Sequence, residues 1–152
     1  MIDISRAYSK AKIDASRGAT FVGMPEEDLD KDLGMCGELL VHFYGTKPAA
    51  EGWHNEYAGT LVDLGFSVGA ASACVFRHRE RQIVTTVHGD DFTSVGPEAS
   101  VDRSRDQLKV KYELAEQARL GSGEKDDKDA EVLNRIVRWT ASGLEYEGQR
   151  RT

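Results

Sequence analysis

The sequence predicts an α+β fold: an antiparallel sheet of split βαβ topology, with helices on one face and an appended C-terminal β-hairpin. Three observations lead there. Trp53, Tyr57, Leu61 and Leu64 fall at i, i+4, i+8 and i+11, one face of a helix. Two β-rich arms, Ile83 to His88 and Phe92 to Val95, flank Gly89-Asp90-Asp91 in a hairpin pattern. The elements run strand, helix, strand, strand, helix, strand before a second hairpin, which is the split βαβ order.

Taken in chain order, MIDIS is a short apolar strand and RAYSKAK a basic continuation. Residues 14 to 35 read as irregular. Pro25 opens an acidic run, Glu26-Glu27-Asp28-Leu29-Asp30-Lys31-Asp32, expected to be a solvated loop. GELLVHFYG reads as a strand ending at Gly45. Thr46 and Pro48 then supply cap and first-turn chemistry for the helix carrying Trp53, and Gly65 stands at its expected stop. Its apolar stripe is assigned to packing. ACVFRH is a strand, followed by the Ile83–Val95 hairpin.

Pro97 to Lys111 reads as a polar helix opening with Ser94, Pro97 and Glu98, and Tyr112 to Leu114 starts another strand. RLGSGEKDDKD is a polar loop. EVLNRIVRWT and LEYEGQ, joined at Ala141-Ser142-Gly143, form the closing hairpin.

The chain has 152 residues, 20 Lys plus Arg against 26 Asp plus Glu, and a net charge of −6. With 39% apolar and 30% charged residues it has the composition of a folded domain, not of a disordered chain. The acidic balance argues against autonomous nucleic-acid binding, which draws on Lys and Arg. No apolar run approaches the ~18 residues of a membrane span, and the start lacks a signal peptide's apolar core. The expected location is therefore intracellular. Cys36 and Cys74 show no metal-binding spacing, and His42, His54, His78 and His88 are scattered.

In the predicted topology the first strand ends at the same edge as the hairpin tip. Asp3 lies at that strand end and Asp90 and Asp91 lie on the tip, so three carboxylates remote in sequence converge. Bare, they raise one another's pKa. A divalent cation removes the conflict, since Mg²⁺ takes carboxylate and phosphate oxygens. Two such ions can support in-line phosphoryl transfer. Taken alone, Gly89-Asp90-Asp91 reads first as a plain polar hairpin turn, since Gly-Asp turns are common.

Three segments in order carry a resemblance: Asp3-Ile4-Ser5-Arg6-Ala7-Tyr8, then Tyr44-Gly45-Thr46 leading to Trp53, then His88-Gly89-Asp90-Asp91. The chain resembles the reverse transcriptase domain of copia-type LTR retrotransposon Pol polyproteins, over nearly its whole length. Asp3 to Tyr8 is similar to the family's Asp-Val-Xaa-Xaa-Ala-Phe block. YGTKPAAEGW is similar to its Tyr-Gly-Leu-Xaa-Gln-Ala-Pro-Arg-Ala-Trp segment, and VHGDD stands where it has Tyr-Val-Asp-Asp. LNRIVRWTASGLEYEGQ resembles the hairpin that follows.

The resemblance implies a polymerase-palm-like fold and RNA-directed DNA polymerisation, a nucleotidyl transfer on two Mg²⁺ ions, with Mn²⁺ as a possible substitute. Asp3, Asp90 and Asp91 become the catalytic and metal-binding residues, and Tyr8 with Ala7 the nucleotide-binding ones. Tyr8 matches the aromatic position that excludes a 2′-hydroxyl. Arg6, Lys10 and Lys12 are read as a solvated basic face. The implied partners are a nucleic-acid template–primer, a deoxynucleoside triphosphate and the rest of a Pol polyprotein, with no membrane. The implied location is a cytoplasmic retroelement particle or the nucleus, not the exterior.

The chain also departs from the family. Residues 1–152 read as one partial palm domain, with the fingers region expected upstream of Asp3 missing. Pro48 matches the family's Gln and lacks its donors. His88-Gly89 replaces Tyr-Val. The expectation is a palm fragment inactive on its own, and the alternative is a non-catalytic α+β remnant or interaction domain.

Overall fold

The computed structural model describes residues 1–14, 16, 18–28, 34–46 and 48–148. The second half of the acidic run, 29–32, and Gln149 of the closing hairpin lie outside the described residues. The strands are β1 (Ile2–Ile4), β2 (Phe21–Gly23), β3 (Cys36–Glu38), β4 (Ser67–Val68), β5 (Val75–His78), β6 (Ile83–His88), β7 (Asp91–Val95), β8 (Leu114–Glu116), β9 (Asp129–Glu131), β10 (Arg135–Thr140) and β11 (Gly143–Gly148). The helices are α1 (Ala49–Asp63) and α2 (Glu98–Lys111), with a 3₁₀ turn at Ala7–Lys10.

The main sheet has the order β4-β5-β6-β7-β1-β8, and every neighbouring pair is antiparallel. The α+β class and the split βαβ plan are therefore as the sequence predicts. β1, though three residues long, lies inside the sheet and pairs on both sides. A separate sheet, β11-β10-β9, holds the closing hairpin, and β2-β3 form a two-stranded ribbon.

The core lies between the main sheet and its helices. Alternation along β6 buries Ile83, Thr85 and Val87 and exposes the residues between them. Trp53, Tyr57 and Leu61 project from α1 onto Ile2, Ile4, Phe76 and Phe92, while the mostly polar α2 contributes Leu108. Trp53 meets Tyr57, Phe92 and Tyr112 edge-on, with ring centroids 5.5, 6.4 and 5.6 Å apart. Such edge contacts place ring hydrogens against π faces.

The stop of α1 follows expectation in detail. Gly65 adopts φ 92°, its N–H donates to Val62 O, and Phe66 N–H donates to Leu61 O. That bond pair is a Schellman cap, which needs a left-handed residue at the glycine position. The start of α1 differs from expectation. Pro48 occupies the N-cap position, and Thr46 Oγ1 donates to Phe43 O in the preceding turn instead of capping the helix.

Three strands escaped the sequence reading. The strand expected over residues 37–45 shrinks to β3, which pairs with Phe21–Gly23 in a stretch read as irregular. All of β2 is exposed, so no buried face wrote an alternation into its sequence. β4 has two residues, and β9 falls at the end of a run read as loop. Cys36 and Cys74 are exposed free thiols. Among the described residues no helix is long and apolar enough to cross a membrane.

Candidate functional site

Register sets the backbones of the three predicted aspartates side by side. Asp3 in β1 is directly opposite Asp91 in β7, and Ile4 N–H donates to Asp90 O at 3.0 Å. Ile2 and Ile4 point into the core, so Asp3 between them points to the sheet's other face, and its opposite partner Asp91 shares that face. His88 pairs with Asp91, and Ala115 with Asp3, giving a cross-strand row of His88, Asp91, Asp3 and Ala115.

One detail differs from the sequence reading. Asp91 is the first residue of β7, not part of the tip, and the loop is the two residues Gly89 and Asp90. Gly89 has φ 62° at the first loop position, where such tight hairpin turns require positive φ. Its carbonyl accepts a 2.7 Å hydrogen bond from Trp53 Nε1. Trp53, assigned to packing alone from the sequence, thus also ties α1 to the hairpin tip.

Two neutral donors hold the aspartates. The Tyr44 hydroxyl donates to Asp90 Oδ2 at 3.0 Å, and Gln117 Nε2 donates to Asp91 Oδ1 at 3.0 Å. Burial first, then the hydrogen bond to Asp90, pushes the Tyr44 hydroxyl up to about 12, so it stays a donor at neutral pH. Gln117 escaped the sequence reading. It is one glutamine in a polar stretch, and only the pairing of β8 with β1 brings it near Asp91.

The nucleotide-binding pair divides. Tyr8 packs on Tyr44 with ring centroids 4.4 Å apart and keeps a partly exposed edge. Ala7 is fully buried in the core, so its side chain offers no surface to a ligand. Arg6, in a left-handed conformation at φ 53°, forms an exposed ion pair with Glu113 at 3.1 Å.

Asp3 holds its proton more tightly than a free aspartate. Desolvation contributes most, followed by the charges of Asp90 and Asp91. An acid whose pKa is higher in the folded than in the unfolded state lowers stability once pH exceeds that folded value. The penalty fades as pH falls through it. Asp3→Asn should therefore stabilise the cation-free chain at pH 7, by about 0.5 kcal/mol at a solvent-screened site. The gain should vanish towards pH 3 and shrink in 0.5 M salt. Thermal unfolding of both proteins across pH checks this, and a variant less stable at pH 7 would contradict it.

The donor chemistry suits a hard divalent cation: three carboxylates around the β1–β7 pairing and its hairpin tip, two of them engaged through a single oxygen by neutral groups. Among the described residues, no three ligating side chains already stand close enough together to hold an ion. Comparison of the chain with protein-family models, curated proteins and solved structures finds no match.

Proposed function

We propose that the chain is the palm portion of a copia-type reverse transcriptase, and that Asp3, Asp90 and Asp91 hold its divalent cations. The observation that carries this reading is the register of β1 on β7. It sets Asp3 opposite Asp91 and fastens Asp90 to the same strand end. A cation bound there would lower the pKa of a primer 3′-hydroxyl and offset the charge of an incoming triphosphate.

The chain's own residues prepare the place. Asp3 is held rigidly because β1 is paired on both sides. Tyr44 and Gln117 orient Asp90 and Asp91 through one oxygen each. Tyr8 packs on Tyr44, which itself holds Asp90, and from there its ring would pack against a sugar. Pro48 supplies no side-chain donor where the family has Gln, so triphosphate positioning is weaker than in that family. The reading therefore includes cation binding but no efficient primer extension by this chain alone.

The test is a thermal-shift titration with Mg²⁺ and Mn²⁺. At ten times its Kd, a cation that binds only the folded state adds about 1.4 kcal/mol, or about 3–6 °C for a chain of this size. Asp3→Asn and Asp90→Asn should each abolish the shift while the protein remains folded. An undiminished shift in both variants, or none in the wild type, would sink the proposal and leave the remnant reading.

A further inference from the structure

The C-terminal sheet ends on β11, which pairs with β10 on one side and is the outermost strand on the other. Trp139 N–H on β10 donates to Lys128 O at 2.7 Å, on the side of β9. Bonding direction alternates along an antiparallel ladder. Leu144, opposite Trp139, therefore turns its N–H and C=O away from β10, and Tyr146, opposite Val137, does the same. These four backbone groups form the outer edge. Leu144 is 59% and Tyr146 62% exposed.

The side chains set what can pair there. Glu145 and Glu147 share one face of β11, and Leu144 and Tyr146 the other. β10 brings no cation to either glutamate. Glu147 stands opposite Ile136, and Arg138, opposite Glu145, turns to Asp129 on β9 with Nε 2.9 Å from Oδ1. Glu131 flanks Ile136 from the β9 side. The strand residues of this face are thus Asp129, Glu131, Glu145 and Glu147 against Arg138. In the registers centred on Glu145 or on Tyr146, two antiparallel copies of β11 set glutamate against glutamate, which destabilises a sheet.

We infer that the β11 edge takes up, as an antiparallel fourth strand, an extended segment of another protein in which Lys or Arg alternates with apolar residues. The apolar residues exchange backbone hydrogen bonds with Leu144 and Tyr146 and cover their side chains. The basic residues meet Glu145 and Glu147 on the opposite face. Main-chain bonds give such a strand its affinity, and the alternating side chains its specificity. Charges commonly guard an edge against pairing. Here they close it to acidic strands and to a second copy and leave it open to a basic one.

The experiment uses the full chain and a fluorescently labelled Lys-Val-Lys-Val-Lys-Val peptide. Its anisotropy should rise saturably, while a Glu-Val-Glu-Val-Glu-Val peptide should not bind. N-methylation of the valines keeps the charges, removes the donors that face β11, and should abolish binding. Glu145→Lys combined with Glu147→Lys should weaken the basic peptide about tenfold or more and admit the acidic one. Glu26→Lys combined with Glu27→Lys makes the same change of net charge outside the C-terminal sheet and should leave binding unaltered.

Binding of the acidic peptide by the wild type, or survival of binding after N-methylation, would overturn the proposal. So would an equal loss in the Glu26 and Glu27 variant, which would reduce the effect to net charge. A dimer in sedimentation that the basic peptide does not dissociate would give the edge to a second copy and overturn it as well. The comparison of peptides stands even if the Glu145 and Glu147 variant fails to fold.

Discussion

Replacing Trp53 with alanine is expected to remove about 4 kcal/mol of stability, the largest effect of any single change considered for this chain. The indole is 1% exposed and joins α1 to both flanking core elements, through Phe92 of β7 and Tyr112 after α2. Its deletion leaves a cavity among aromatic rings that relax little, and it strips the Gly89 carbonyl of its donor. Trp53→Phe separates the two contributions. It retains much of the ring volume, loses the Nε1 donor, and should cost about 1–2 kcal/mol.

Urea unfolding of the three proteins measures both numbers. A loss below about 1.5 kcal/mol for the alanine variant would mean that the aromatic cluster is not the centre of the core. There is a functional consequence as well. With the tip no longer tied to α1, Asp90 has only the Ile4 amide and the Tyr44 hydroxyl to position it. Trp53→Phe should therefore reduce the cation-induced thermal shift even though Trp53 touches no cation.

What the sequence revealed of this arrangement was the part that repeats or is ordered along the chain. The stripe from Trp53 to Leu61 has a period, and Gly65 marks the stop of α1 with a conformation that glycine adopts most easily. The convergence of Asp3 with Asp90 and Asp91 followed from topology, because a split βαβ order puts β1 beside the second arm of the hairpin.

Other features left no such trace. Tyr44 and Gln117 reach the aspartates across 46 and 26 positions. A single side-chain hydrogen bond between remote segments imposes no pattern on the residues around it. The ribbon of β2 and β3 is exposed on most of its positions, so burial never wrote an alternation into it. In β9 only Ala130 is buried, between two exposed acidic residues, and the surrounding charge concealed the strand. Thr46 had the right chemistry for a cap, but the chain turned one step early and used that hydroxyl on Phe43 O.

Gly89→Val is expected to destabilise the chain by about 2 kcal/mol, although valine stands at the matching position of the motif that the sequence resembles. The sequence alone suggests the opposite: glycine in place of valine reads as a lost packing contact. The geometry removes that argument, since a Cβ built on Gly89 meets nothing within 4 Å. A larger side chain gains no neighbour there. At φ 62° it meets its own backbone, and a β-branched residue does so most severely.

Gly89→Ala should therefore lose less, about 1 kcal/mol, and the order glycine, alanine, valine should appear in the unfolding midpoints. A turn that relaxes to accept valine must rotate the 89–90 peptide, which swings the Gly89 carbonyl away from Trp53 Nε1 and redirects Asp90 from Tyr44. Combining Gly89→Val with Trp53→Phe should then cost less than the sum of the two, because the first change already breaks the bond that the second removes. Strict additivity would show that the tryptophan bond survives in the valine variant. The turn would then not be what fixes the direction of Asp90.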